Sequence, residues 1–118
     1  MEKRRHSRVP LFTKATITTA ARPVQITISN ISLGGLLFHC SKDFELGKEM
    51  VVQIKGTHRR KDFEEKVTGR IVAIHRGTAG KSYGLQFGAY LDEDRQPALL
   101  AFVSGSKKKA ITSFLRDE

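Results

Sequence analysis

The chain has 118 residues, 39% of them hydrophobic, and a formal net charge of +9 at pH 7. That length suits one domain with a real core, the composition excludes wholesale disorder, and no apolar run approaches the roughly 20 residues a membrane-spanning helix needs. The opening residues are charged and Cys40 is the single cysteine, so neither a secretory leader nor an internal disulfide is expected, and the protein reads as cytoplasmic. Excess Lys and Arg bias the surface toward phosphate-bearing partners, among which nucleic acid, anionic lipid and small nucleotides all stay open at this point.

Residues 1–12 hold Arg4-Arg5-His6-Ser7-Arg8 and Pro10 without apolar periodicity, which predicts a mobile basic arm ahead of a folded body over residues 13–118. From Lys14 to Phe87 short β-rich runs recur at period two, the pattern of an all-β body. The first strand is expected over Thr13 to Ala20, with Arg22-Pro23 as a break. Val24, Ile26 and Ile28 then alternate with Gln25, Thr27 and Ser29, a half-buried second strand. Gly35 to Cys40 makes a third, with Leu36, Phe38 and Cys40 on one side, and Met50 to Lys55 a fourth through Met50, Val52 and Ile54. Glu64 to His75 reads as one strand or two joined by a bend at Gly69. Ser82 to Gly88 closes the set with Tyr83, Leu85 and Phe87.

Strands this short, broken this often, meet as a small barrel or a sandwich, and a six-stranded antiparallel β-barrel is preferred because closure removes exposed edges. A helix is expected over Asp92 to Val103. It would carry acids in its first turn, Pro97 early, Ala98, Leu99, Phe102 and Val103 on one face, and Gly105 as a stop. Ser106 to Glu118 predicts a second short helical piece through Ile111, Phe114 and Leu115.

Two segments carry the chemistry. Arg4 and Arg8 lie four apart with Arg5 between them, and on an extended arm their planar forks could reach separate parts of one ligand, binding phosphate bidentately, reading guanine O6 and N7 or stacking on a base. A solvated basic tail is the plain alternative. Downstream, Asn30 and Ser32 are two apart, so where the strand continues both face one side; the amide offers a donor and an acceptor and the hydroxyl rotates to its partner. Gly34 and Gly35 permit positive φ and let a ligand approach the backbone. Alone, this segment is also compatible with an ordinary polar turn.

Taken together, Arg4-x-x-x-Arg8 and Asn30-x-Ser32-x-x-Gly35 resemble the paired motifs of the PilZ family of cyclic di-GMP receptors, in the family's order and spacing. The resemblance spans most of the chain: it implies a six-stranded antiparallel split barrel with a C-terminal helix, and Tyr83-Gly84-Leu85-Gln86-Phe87 is similar to a late strand of that family. It further implies that Arg4 and Arg8 contact phosphates and guanines with Arg5 as an auxiliary cation. Asn30 would hold a guanine, Ser32 would meet polar ligand atoms, and Gly35, beside Gly34, would keep the corner open. Asn30 stands where many members have Asp, which gives up a negative charge. Lys3 occupies a variable site implied to influence whether one ligand or a stacked pair binds.

The expected function is therefore a cytoplasmic cyclic di-GMP receptor or adaptor that closes its arm on the ligand and signals to an unidentified downstream protein. No catalysis, metal or further cofactor is expected. One alternative is a nucleic-acid-binding small barrel, but Phe38, Tyr83 and Phe87 are expected to alternate into the core rather than offer a stacking platform. Another is a PilZ-like adaptor that has lost its ligand. His6, His39, His58 and His75 lack metal-ligand spacing, and Asp92, Glu93 and Asp94 are explained by a helix dipole rather than by paired-acid catalysis. Thr57 to Lys61 and Lys107 to Lys109 read as solvated charges, with extension of the positive surface as the other reading.

Overall fold

The computed structural model describes residues 9–18, 22–77 and 80–114. Six strands follow in chain order: β1 (Val9–Thr18), β2 (Pro23–Ile31), β3 (Gly35–Cys40), β4 (Glu49–His58), β5 (Lys61–Gly77) and β6 (Gly80–Phe87); one helix, α1 (Pro97–Phe114), comes after them. Neighbours pair antiparallel in the order β1-β2-β3-β6-β5-β4, and β4 returns to β1, so the ring closes into a barrel.

The period-two pattern sets the core. Ile26 and Ile28 of β2, Leu36 and Phe38 of β3, Val52 and Ile54 of β4, Val67 and Ile71 of β5, and Tyr83, Leu85 and Phe87 of β6 all point inward and are buried. Tyr83 satisfies its phenol inside that core: the hydroxyl donates to the Lys42 carbonyl at 2.8 Å and accepts from the Phe44 N–H at 3.2 Å, while its ring lies 5.2 Å from Phe38 in a stacked pair. At the far end of the chain α1 packs against β1 and β5, burying Leu99 and Val103.

Several boundaries differ from expectation, and β5 follows the first of its two expected readings. β1 begins at Val9 rather than Thr13, because a register shift between Pro10 and Thr13 accommodates a proline that cannot serve a regular ladder, and Val9 is buried. β5 is a single strand without a bend at Gly69; its irregularity falls between Ile71 and Ala73. At Gly69 a Cβ would stand 2.4 Å from the Gln86 carbonyl oxygen, so glycine there allows two strands to approach closely.

The helix starts at Pro97, not Asp92. Asp92, Glu93 and Asp94 lie in the preceding turn, where the Asp92 carboxylate accepts from the N–H groups of Asp94 and Arg95 at 2.9 and 2.7 Å. Proline is suited to the first helical position because its absent N–H has no intrahelical partner there anyway. The helix then continues through Gly105 and absorbs the expected second piece as far as Phe114. Interior glycine costs a helix about 1 kcal/mol, which burial of Leu99 and Val103 offsets. Among the described residues, no helix is long and apolar enough to cross a membrane.

Candidate functional site

β2 ends at Ile31, and the chain turns through Ser32, Leu33 and Gly34 into β3. Ser32 builds the corner: its N–H donates to the Gly35 carbonyl at 2.8 Å, its hydroxyl donates to the same carbonyl at 3.4 Å, and the Gly34 N–H donates to that hydroxyl at 3.3 Å. Ser32 is accordingly buried, and its hydroxyl is engaged with backbone. Two further bonds fasten the corner to the end of β6 and the segment after it: Phe87 N–H to the Gly34 carbonyl at 2.8 Å and Leu91 N–H to the Leu33 carbonyl at 3.0 Å. Neither Gly34 nor Gly35 adopts positive φ, contrary to the expected reason for them. Gly35 is needed for space, since a Cβ would stand 2.4 Å from the Leu85 carbonyl oxygen.

A bulge decides where Asn30 points. Strict alternation from Ile26 and Ile28 would send residue 30 into the core, but the β2–β3 register shifts between Ile28 and Asn30. Ile28 and Ile31 are both fully buried as a result, and Asn30 lies between them, half-buried, opposite Leu37. Its Oδ1 is shielded from water and has no hydrogen-bond partner among the described residues. A buried acceptor left without a donor costs about 1–3 kcal/mol relative to a satisfied one, so this oxygen is poised to take an N–H from a ligand.

Sheet register extends the surface beyond what the sequence pattern identified. Gly35 is paired with Gln86, Gln86 with Arg70, and Arg70 with Glu49, so one row crosses β3, β6, β5 and β4 on the outer face. The next row runs from Asn30 through Leu37 and Gly84 to Ala73. Arg70, Gln86 and Glu49 are exposed. Their only trace in the sequence is the polar parity of Thr68 and Arg70 against Val67, Gly69 and Ile71, which says outward but not beside what.

Of the predicted site residues, Asn30, Ser32, Gly34 and Gly35 come together at this corner. Arg4, Arg5 and Arg8 lie outside the described residues, yet β1 reaches the corner too: Val9 is paired with Ile31 and Pro10 with Asn30. Phe38, Tyr83 and Phe87 are buried and point into the barrel, so they provide no base-stacking surface on its outside.

The PilZ domain profile matches residues 2–105. The chain belongs to the PilZ domain family. Solved structures carry the same fold at low identity. The structure of the Bacillus subtilis inhibitor of motility (MotI/DgrA) is similar with a TM-score of 0.74 and 15% identity, covering 92% of this chain and 54% of that one. This PilZ domain thus spans about half the length of that protein. The PilZ domain of YcgR from Escherichia coli, solved with c-di-GMP, is similar with a TM-score of 0.63 and 13% identity, covering 95% of this chain and 97% of that one. The PilZ domain of CeSA from a cellulose-synthesizing bacterium aligns with a TM-score of 0.58 and 16% identity over 86% of this chain and 98% of that one. No curated protein matched the sequence.

Proposed function

We infer that this PilZ domain is a receptor for cyclic di-GMP that folds its arginine arm over the β2–β3 corner on binding and passes the change to a partner protein. The observation that carries the reading is the pairing of Val9 with Ile31. Arg8 is covalently joined to a residue held beside the Asn30-Ile31-Ser32 segment, and five residues from Val9 back to Arg4 reach at most about 17 Å. Both motif arginines are therefore within range of a ligand seated on the corner. The shared fold of the Escherichia coli YcgR domain, solved with c-di-GMP, supports the same reading.

In this reading Arg4 and Arg8 grip phosphates and guanine edges, with Arg5 adding charge. The unpartnered Oδ1 of Asn30 accepts a guanine N–H. Ser32 and Gly34 hold the corner's shape, and Gly35 keeps it free of side chain. In this reading the domain binds and reports without catalysis, and it acts in the cytoplasm. Ligand closes the arm by contributing contacts that exist only in the closed state, which is what an equilibrium shift requires.

Isothermal titration calorimetry with cyclic di-GMP, GTP and cyclic di-AMP tests the reading. Saturable heat is expected with the first alone, and no heat at high micromolar cyclic di-GMP rejects it.

A further inference from the structure

The outer row beside the corner ends in a polar cleft of ≈ 400 Å³ whose lining includes Glu49, Thr68, Arg70, Gln86 and Gly88. Arg70 and Glu49 are cross-strand partners in register, exposed and opposite in charge, yet no ion pair joins them and neither side chain has a hydrogen-bond partner among the described residues. The row places Gln86 one strand from Gly35, Arg70 two and Glu49 three. At the usual interstrand spacing, Arg70 stands about 10 Å and Glu49 about 14 Å from Gly35, measured along the sheet.

That pair matches one base. A guanine presents O6 and N7 as adjacent acceptors, which a guanidinium fork takes bidentately. On its other edge it presents N1–H and N2–H as adjacent donors, which a carboxylate takes bidentately. Adenine offers N7 beside an N6 amino donor, so it would set a donor against the Arg70 fork and give Glu49 a single N–H. A phosphate is disfavoured by Glu49. Gln86, with both a donor and an acceptor, sits between the corner and the charged pair.

The geometry points to the Arg70–Glu49 cleft as a guanine subsite that takes the second base of a cyclic di-GMP molecule whose first base is held at Asn30. This inference rests on the receptor reading above and adds the means by which the domain distinguishes two guanines from one. Cyclic di-GMP spans both places, whereas a guanine–adenine cyclic dinucleotide fills only the Asn30 end correctly.

The test compares affinities of the full chain for cyclic di-GMP and for 3′,3′-cyclic GMP-AMP by calorimetry, in wild type, Arg70→Ala, Arg70→Lys and Glu49→Gln, with thermal melting to establish that each variant is folded. Wild type is expected to prefer cyclic di-GMP. Arg70→Ala and Glu49→Gln are each expected to weaken cyclic di-GMP about tenfold or more while leaving cyclic GMP-AMP almost unchanged. Arg70→Lys should resemble Arg70→Ala, since the fork and not the charge reads the base. Wild-type cyclic di-GMP affinity in Arg70→Ala and Glu49→Gln overturns the subsite and leaves the receptor reading standing. An equal loss for both dinucleotides, or full rescue by lysine, also overturns it, because either result means unspecific attraction. Absence of cyclic di-GMP binding by wild type overturns the receptor reading and this inference with it.

Discussion

Glu65, on β5, accepts the backbone N–H of Leu99 at 2.9 Å, a contact 34 residues away along the chain. Its second oxygen accepts the Ala98 N–H at 2.7 Å. The carboxylate thus caps α1 from outside the helix, satisfying two donors that have no intrahelical partner and placing negative charge at the positive end of the dipole. Gln96 reinforces the junction by donating from its side chain to the Lys66 carbonyl at 2.9 Å. Glu65 is itself buried, so the pair of bonds is shielded from water.

Replacing Glu65 with alanine is therefore expected to destabilise the domain by about 1–2 kcal/mol, the upper part of the range for losing an N-terminal cap. Urea denaturation followed by circular dichroism measures it. Glutamine, which keeps one acceptor oxygen, should recover part of the loss. An alanine variant as stable as wild type would mean that α1 docks without this cap.

Asn30→Asp should tighten cyclic di-GMP. The amide oxygen is already shielded and without a donor, and a carboxylate in its place makes charge-assisted bonds about twice as strong as neutral ones. The expected gain is about 1 kcal/mol, or fivefold in affinity, read by calorimetry at fixed salt. The same substitution should lower stability in the absence of ligand, because it leaves a charge in a half-buried place.

The β4–β5 hairpin turns on Arg59 and Arg60, with φ of 55° and 67°. Both occupy the left-handed region, where ordinary side chains cost about 1–2 kcal/mol per residue. A two-residue turn of this kind favours Asn-Gly. Arg60→Gly is expected to raise stability by about 1 kcal/mol despite glycine's looser unfolded state, visible as a higher Tm. Unchanged cyclic di-GMP affinity should accompany it, as the turn is no part of the proposed site.

Hydrogen bonds from the Arg95 backbone and side chain hold the Asp92 carboxyl below its ordinary value. A carboxylate with a depressed folded pKa binds its proton more weakly in the folded than in the unfolded chain. Its contribution is therefore complete above the unfolded value of about 3.9 and is lost as pH falls through the folded value. Asp92→Asn should lower Tm at pH 7 and reduce the fall in Tm as the pH drops below about 4. Parallel Tm–pH curves for the two proteins would remove Asp92 from the acid response.

Much of the barrel could be read directly from the amino acids. Alternation in β3, β4 and β6 depends only on side chains facing opposite ways at successive residues, so Leu36, Phe38, Val52, Ile54, Tyr83 and Leu85 were identifiable as core before any partner strand was known. The Asn30-to-Gly35 corner was legible for a different local reason, its small polar and glycine residues. What the sequence could not show was everything that depends on register between distant segments. Pro10 read as part of the arm, whereas a register shift between it and Thr13 seats it in β1 opposite Asn30. Asn30 itself escapes the core position that strict alternation would give it only because the β2–β3 ladder slips by one residue. Glu65 reaches the head of α1 across 34 residues of chain, and Arg70 and Glu49 stand in line with Gly35 through pairings between strands distant in sequence. Local composition fixes which way a side chain faces; only closure of the ring decides what it faces.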